Sequence, residues 1–359
     1  MPGNYFGLML RLTTFGESHG TAVGGVLDGF PAGIAINESL IREGLRRRNN
    51  PDIPGTTTRK EEDSINWLSG IDGGISTGGP IAYMIQNKMA DPSEYDHLKN
   101  VFRPSHADYT YYSKYGRPQS SGGGRASGRE TVARVVAGEI ARLMLERYGI
   151  NILAFVTQIG SVKVDELPIH FLPETVYNSP VYCPSHEASQ AMLSLIENSV
   201  QKSDTLGGMI RCVVSDIPAG LGEPVFDKIS ADLARAMISI PTARAFEFGA
   251  GMKSAGMTGS EYNDAFVLNQ GKISTKSNND GGIQGGITNG NDIVFNIAFK
   301  PVSSIGMAQK TLNKWGQEEE IRISGRHDVC AVPRIVPVVE AMTALVIADH
   351  MLRNHAIKL

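Results

Sequence analysis

The chain predicts a soluble fold of mixed helices and strands, and three observations carry that expectation. Its 359 residues are 41% hydrophobic and 20% charged, the balance of a globular protein with a sizeable core. Short apolar or alternating runs, bounded by glycine and proline clusters, recur along it as strands would. Between them lie longer segments with apolar residues at helical spacing. Both halves share a rhythm of paired strands, a glycine loop and a helix. The whole of 1–359 is read as a single unit, with an internal pseudo-repeat as a reading that no residue-level period establishes.

Taken in order, residues 8–15 read as a strand, followed by the turn-like Gly16-Glu17-Ser18-His19-Gly20. A second strand, 23–27, enters the turn cluster Asp28-Gly29-Phe30-Pro31-Ala32-Gly33. Asn37 caps a helix that carries Leu40, Ile41, Gly44 and Leu45 and ends in Arg46-Arg47-Arg48, cations that complement a helix C-terminus. Residues 49–64 read as a polar, mobile loop, and 65–68 and 81–85 as strands around a glycine-rich connection. The stretch from Phe102 to Tyr148 joins an Arg-Pro-Ser-His segment, a glycine loop and a long helix. In that helix Val132, Val136, Ile140 and Leu143 recur at helical spacing, while Ala133, Ala137, Gly138 and Ala141 permit close approach. Further on, 152–159, 209–216 and 293–299 are expected strands, and 229–237 an expected helix. A helix capped by Ser185 runs to about Lys202, and the last helix spans 336–353. Residues 165–184 are expected to be irregular, and 272–290 a polar, glycine-dense loop.

Several function classes are excluded. A net charge of -3 and a pI near 6.3 argue against bulk binding to nucleic acid or an acidic membrane. Three widely spaced cysteines give neither a disulfide framework nor a zinc pattern, so a reducing cytoplasm is the expected location. Arg11 follows a short apolar stretch and fits no signal peptide, while the apolar run 335–348 is read as too short to cross a bilayer. Gly249-Ala250-Gly251-Met252-Lys253-Ser254 lacks the ending of a P-loop, and no metal motif appears.

What remains is a set of arginines and histidines in glycine-rich turns. The loop Ser120-Ser121-Gly122-Gly123-Gly124 feeds a helix whose expected N-cap is Ser127, with Glu130 at capping-box spacing. Backbone N–H groups and the helix dipole there favour an anion, and Arg125 and Arg129 add positive charge. His19, His106 and His327 each lie in a loop beside Ser, Arg or Asp. A lone histidine is more often a hydrogen-bonded structural group, but three in such settings point to proton transfer.

Four runs then carry a resemblance: Phe15-Gly16-Glu17-Ser18-His19-Gly20, Arg103-Pro104-Ser105-His106-Ala107-Asp108, Gly122-Gly123-Gly124-Arg125-Ala126-Ser127 and Gly325-Arg326-His327-Asp328. Together with Asp28 to Gly33, Pro218 to Pro224 and Lys300-Pro301-Val302-Ser303-Ser304, they make the chain resemble the chorismate synthase family, in order and over nearly its whole length. The resemblance implies an α+β fold, a β-α-β sandwich with a helical layer between antiparallel sheets. It implies loss of phosphate and a ring proton from 5-enolpyruvylshikimate 3-phosphate to give chorismate, the end of the shikimate pathway toward aromatic amino acids. Reduced FMN is the implied cofactor, required but not consumed, and a homotetramer the implied assembly. Some members reduce their own flavin with NADPH. No reductase segment is evident in this sequence, so an external flavin reductase is the expected source.

By the same resemblance, Arg48, Arg103 and Arg129 bind the substrate, a task for which bidentate guanidinium groups suit phosphate and carboxylates. His19 is the implied general acid for the leaving phosphate, His106 faces the reduced flavin, and Asp328 with Ser18 handles the proton near flavin N5. FMN contacts fall at Arg125, Ala126, Ser127, Pro241, Thr242, Gly285, Lys300, Pro301, Val302, Ser303, Ser304 and Arg326. The chain departs from the family pattern at Ala126, Gly128, Pro241 and Thr242. It also has Pro54 near the place of a second loop arginine, for which Arg59 is the candidate replacement. The rival from another class is a flavin- or anion-binding protein without chemistry; His19, His106, Ser18 and Asp328 argue against it, since binding alone needs no proton donors. A nicotinamide-linked dehydrogenase would rest on the glycine loop alone.

Overall fold

The computed structural model describes residues 3–49, 53–56, 63–88, 98–117, 122–164, 168, 170–269, 271–323 and 328–357. Two five-stranded antiparallel sheets enclose the long helices. In the first sheet the order is Tyr5–Phe6, Arg11–Gly16, Ala22–Asp28, Ile81–Gln86, Ile65–Ser69; in the second it is Ala243–Phe248, Ile293–Phe299, Gly208–Ser215, Asn151–Ile159, Val162–Lys163. The helices Thr131–Glu146 and Val332–Ile357 pack against each other between them. Tyr83 on the first sheet donates to the Ala133 carbonyl at 2.6 Å, and Ala154 N on the second donates to Glu340 Oε1 at 3.0 Å. The sandwich implied by the family resemblance is therefore the fold of this chain.

Period-2 burial explains the first sheet: Ile81, Tyr83 and Ile85 point inward on alternate residues of one strand. Val132, Val136 and Ile140 are wholly buried, as their spacing predicts. The Glu38–Asn49 helix starts where Asn37 Oδ1 accepts from Leu40 N at 3.3 Å. Of its three terminal arginines, Arg46 is exposed on Glu43, whereas Arg47 and Arg48 are buried.

Other expectations change. The first long strand begins at Arg11 rather than residue 8, because Leu8, Met9 and Leu10 donate their N–H groups to Asp349 Oδ1 at 3.1, 2.7 and 2.8 Å. The last helix starts at Val332, since Pro333 lies in its first turn where a missing N–H costs nothing. At 26 residues it is long and apolar enough to cross a membrane, yet its apolar window is 94% buried, as in a core helix. The stretch 272–290 is not a bare loop. Lys272–Thr275 pairs with Phe266–Asn269, Ile283–Gln284 pairs with Ile287–Thr288, and Asp264 gathers the turn between by accepting from Ser277, Asn279 and Asp280. The strand Ala243–Phe248 and the hairpin Gln309–Leu312 with Glu318–Ile321 were not anticipated.

Candidate functional site

The run 103–108 folds into a tight ionic knot. Arg103 Nε and Nη2 bind the Asp108 carboxylate at 2.7 and 2.8 Å, and His106 Nδ1 meets the same carboxylate at 2.7 Å. Burial alone would raise the Asp108 pKa, but these bonds outweigh it and hold the group well below the ordinary carboxylate range. An ionised Asp108 thus fixes the His106 ring by Nδ1 and turns Nε2 toward whatever lies opposite. Ser105 adopts φ +58, and its carbonyl accepts from Lys300 Nζ at 3.2 Å and Ser303 Oγ at 2.8 Å. Among the described residues Lys300 bonds only to neutral oxygens; burial, then Arg244, lowers its pKa. Beside it, Lys300 N donates to Thr242 O at 2.9 Å, Thr242 takes φ +71, and its Oγ1 is buried with no partner among the described residues.

Arg48 is a second cation whose hydrogen bonds among the described residues all go to neutral oxygens. Its guanidinium donates to Thr131 Oγ1 at 2.9 Å, Gly128 O at 2.8 Å and Asn49 Oδ1 at 3.4 Å, all neutral oxygens, although it is only 5% exposed. Burial first, and then the Arg334 and Arg129 guanidiniums, outweigh the Asp63 and Asp328 carboxylates and push its pKa down to about 9. Arg334 binds the Arg48 carbonyl at 3.1 Å and grips both Asp328 oxygens at 2.8 and 2.6 Å, so the Asp328 carboxylate is oriented by an ion pair.

These contacts close into a ring. Arg103 reaches Gly122 O at 2.6 Å, and the chain runs from there to Gly128, which holds Arg48. Arg48 leads through Arg334 to Asp328, and the next residue, Val329, accepts from Leu206 N at 2.8 Å. Thr205 Oγ1 donates to Val302 O at 2.7 Å, and Ser303 returns to Ser105. The turn with Ser18 and His19 joins this ring through Asn87, whose Nδ2 donates to Glu17 O and Gly20 O at 2.9 and 2.8 Å while Oδ1 accepts from Arg129 Nε at 2.9 Å. Arg129 also pairs with Asp63 at 2.6 Å. Ser18 is buried and His19 half-buried.

These bonds therefore link the segments that carry most of the predicted residues into one network, with exceptions. Arg326 and His327, like Arg59, lie outside the described residues. Gly285 sits in the small hairpin tied to Pro218, Leu221 and Ile229, with none of its recorded contacts reaching 103–108. The glycine loop is not the expected backbone cradle at Ala126 and Ser127. Their N–H groups close 3-10 bonds onto Gly123 and Gly124, and Arg129 N is taken by Ser127 Oγ at 3.3 Å. Glu130 turns to Arg134 at 2.7 Å. Arg125 reaches Thr14 Oγ1 and Gly16 O at 2.6 and 3.0 Å, anchoring the loop to the first sheet beside the His19 turn. Sequence reading missed Asp63, Asn87 and Arg334 as supports; the polar pair Gln86-Asn87 after the apolar run 81–85 was the one signal for Asn87.

Comparison with known proteins agrees with this geometry. A model of the chorismate synthase family matches residues 10–352. Chorismate synthase of Phocaeicola vulgatus is 48% identical over 99% of both chains, and that of Methanosarcina mazei 48% identical over 99% of this chain and 97% of its own. A crystal structure of chorismate synthase superposes with a TM-score of 0.78 at 30% identity, covering 97% of this chain and 93% of the other. Matched from its first sheet to its last helix, the chain belongs to the chorismate synthase family.

Proposed function

We propose that the ring binds 5-enolpyruvylshikimate 3-phosphate beside reduced FMN, and that the arginines and histidines on it do the work the family requires. As a chorismate synthase the chain is a phosphate-eliminating lyase of the shikimate pathway. The observation that carries the site assignment is electrostatic. Arg48 is buried, and its hydrogen bonds, like those of the half-buried Lys300, all go to neutral oxygens among the described residues, an arrangement that an anionic ligand would complete. Arg48, with Arg103 and Arg129, is assigned to the substrate. Lys300 and the Thr242 hydroxyl, which has no partner among the described residues, fit the phosphate and hydroxyl groups of a flavin nucleotide, so Lys300 to Ser304, Pro241 and Thr242 are assigned to it, and Ala126 and Ser127 on the family resemblance. Arg125, Gly285 and Arg326 keep the same assignment on resemblance alone.

The substrate loses a C–O bond and a ring proton, and phosphate leaves more readily when protonated. His19 is assigned to that proton, and Asp328, with Ser18 as its hydrogen-bonding partner, to proton handling near flavin N5. When bound, reduced flavin supplies electron density that stabilises charge developing at the breaking bond. His106, pinned through Nδ1 by Asp108, presents Nε2 to the flavin, and Arg48 anchors the leaving group or a carboxylate against drift. Homotetrameric assembly, a cytoplasmic location and an external flavin reductase complete the reading, each supported by the family resemblance. Anaerobic incubation of the protein with reduced FMN and 5-enolpyruvylshikimate 3-phosphate is expected to release phosphate and chorismate in equal amounts. Tight FMN binding without turnover would replace this reading with a flavin-binding protein that lacks the chemistry.

A further inference from the structure

We infer that Asn87 is a positioning residue: its single amide clamps the Ser18-His19 turn at both ends and fixes the plane of Arg129. Asn87 follows the buried strand Ile81–Gln86 and is only 9% exposed. Its backbone N donates to Thr21 O at 3.0 Å, which seats it against the end of the turn. The side-chain NH₂ then donates to Glu17 O at 2.9 Å and Gly20 O at 2.8 Å, the carbonyls that flank Ser18 and His19. The remaining oxygen accepts from Arg129 Nε at 2.9 Å, and Arg129 is braced on its far side by Asp63 at 2.6 Å.

The chemistry of these partners leaves one orientation. Two carbonyls demand donors and a guanidinium demands an acceptor, so the amide cannot be turned over, and a carboxylate in its place would face two carbonyl oxygens. A short hydroxyl has too little reach and too few donors to serve all three. Within the turn Gly20 N donates to Glu17 O at 3.1 Å, and the two bonds from Asn87 fasten both flanking carbonyls to the end of the strand Ile81–Gln86, so they fix where the backbone of His19 lies. The same amide sets the angle at which Arg129 is offered to an anion. Proton donor and guanidinium are thereby spaced by one side chain whose amide is engaged by protein groups.

This inference rests on the reading of His19 as the proton donor, and a double-mutant cycle separates the two. Asn87→Asp keeps the size and the acceptor for Arg129 but removes both donors to the turn. Its kcat is expected to fall about 10- to 100-fold, the scale of a catalytic group misplaced by an ångström, with KM changed less than about threefold. FMN affinity, followed by the flavin absorbance, should stay close to that of the parent protein, while the thermal midpoint falls because the buried carboxylate faces two carbonyl oxygens. In a His19→Ala background the same substitution should lower kcat less than about threefold, because the group it positions is gone. Should Asn87→Asp fail to fold, Asn87→Ser, which brings no charge to the carbonyls, carries the same cycle. A slow His19→Ala with fully additive effects, or parental kcat in Asn87→Asp, overturns the inference alone. Parental kcat in His19→Ala removes the proton-donor reading and this inference with it.

Discussion

A guanidinium buried among neutral oxygens is an unusual arrangement, and Arg48 owes it to its place on the helix end. Three consecutive arginines project about 100° apart, so Arg46 meets solvent and Glu43, Arg47 meets Glu340 at 2.6 Å, and Arg48 meets Gly128 and Thr131. A row of arginines in a sequence does not say which one faces a site; that depends on what the neighbouring helices present. An anionic ligand relieves the cost of burying Arg48, and the planar fork matters because each of its three nitrogens already donates one bond, which leaves the second N–H groups of Nη1 and Nη2 for a ligand. Arg48→Lys keeps a charge and loses the fork, so KM for 5-enolpyruvylshikimate 3-phosphate is expected to rise about 10- to 100-fold, the worth of one charge-assisted pair. Steady-state kinetics at saturating reduced flavin measure this, and an unchanged KM would remove Arg48 from substrate binding. The glycine loop teaches the complementary point. The N–H groups of Ala126 and Ser127 look available in the sequence, but 3-10 bonds onto Gly123 and Gly124 satisfy them locally, and bonds between close neighbours are what a motif cannot display.

Between elements, the helices Glu38–Asn49, Thr131–Glu146 and Val332–Ile357 are bolted together by Arg47, Glu139, Arg142 and Glu340, with Tyr177 donating to Glu340 Oε1 at 2.9 Å. Glu139 is the weak member. Burial, with Glu340 nearby, outweighs Arg142 and Arg47 and raises its pKa to about 7. Because the folded value lies above the unfolded one, the unfolded chain gives up this proton first as pH rises. Stability therefore falls between about pH 4.5 and 7, by roughly 2–3 kcal/mol from this group. Glu340 is shifted downward instead, so its contribution is already complete across that window. Glu139→Gln is expected to flatten the decline in urea midpoint between about pH 5 and 8; equal slopes in both proteins would show that another group governs it. The helices that meet here were legible in the sequence because each keeps its apolar period for three turns or more. The strand Ala243–Phe248 was not, since it is an edge strand whose residues are mostly half-exposed or exposed, and its pairing with Ile293–Phe299 is specified from across the sheet.

At the scale of the molecule, the ring draws 103–108 and 122–131 from one half of the chain and 300–303 and 328–334 from the other, so its shape depends on how closely the two layers approach. That distance was only hinted at by the small residues Ala133, Ala137, Gly138 and Ala141 in the sequence; which of them is indispensable follows from the facing helix. A Cβ added at Gly138 would stand 2.3 Å from both Cα and Cβ of Ala341 and 2.6 Å from its carbonyl oxygen. All three belong to the backbone or its first carbon, which cannot swing aside as the tip of a long side chain can. Alanine at this helical position would bring a gain of about 1 kcal/mol in intrinsic propensity. Against it stands overpacking of about 1–3 kcal/mol or more, because the helices must separate or slide to admit one methyl group. Sterics should win, since the slide also strains the Tyr83–Ala133 and Ala154–Glu340 bonds that tie each helix to its sheet. Gly138→Ala is thus expected to lower the denaturation midpoint and, by parting the two halves of the ring, to lower kcat/KM in the fraction that still folds. Gly256→Ala, at a glycine with nothing within 4 Å of the added carbon, serves as the control and should leave the midpoint unchanged. Equal midpoints for the two variants, read from urea titration at one pH, would mean that the layers can breathe enough to absorb a methyl group and that the spacing of the ring is set by its own loops.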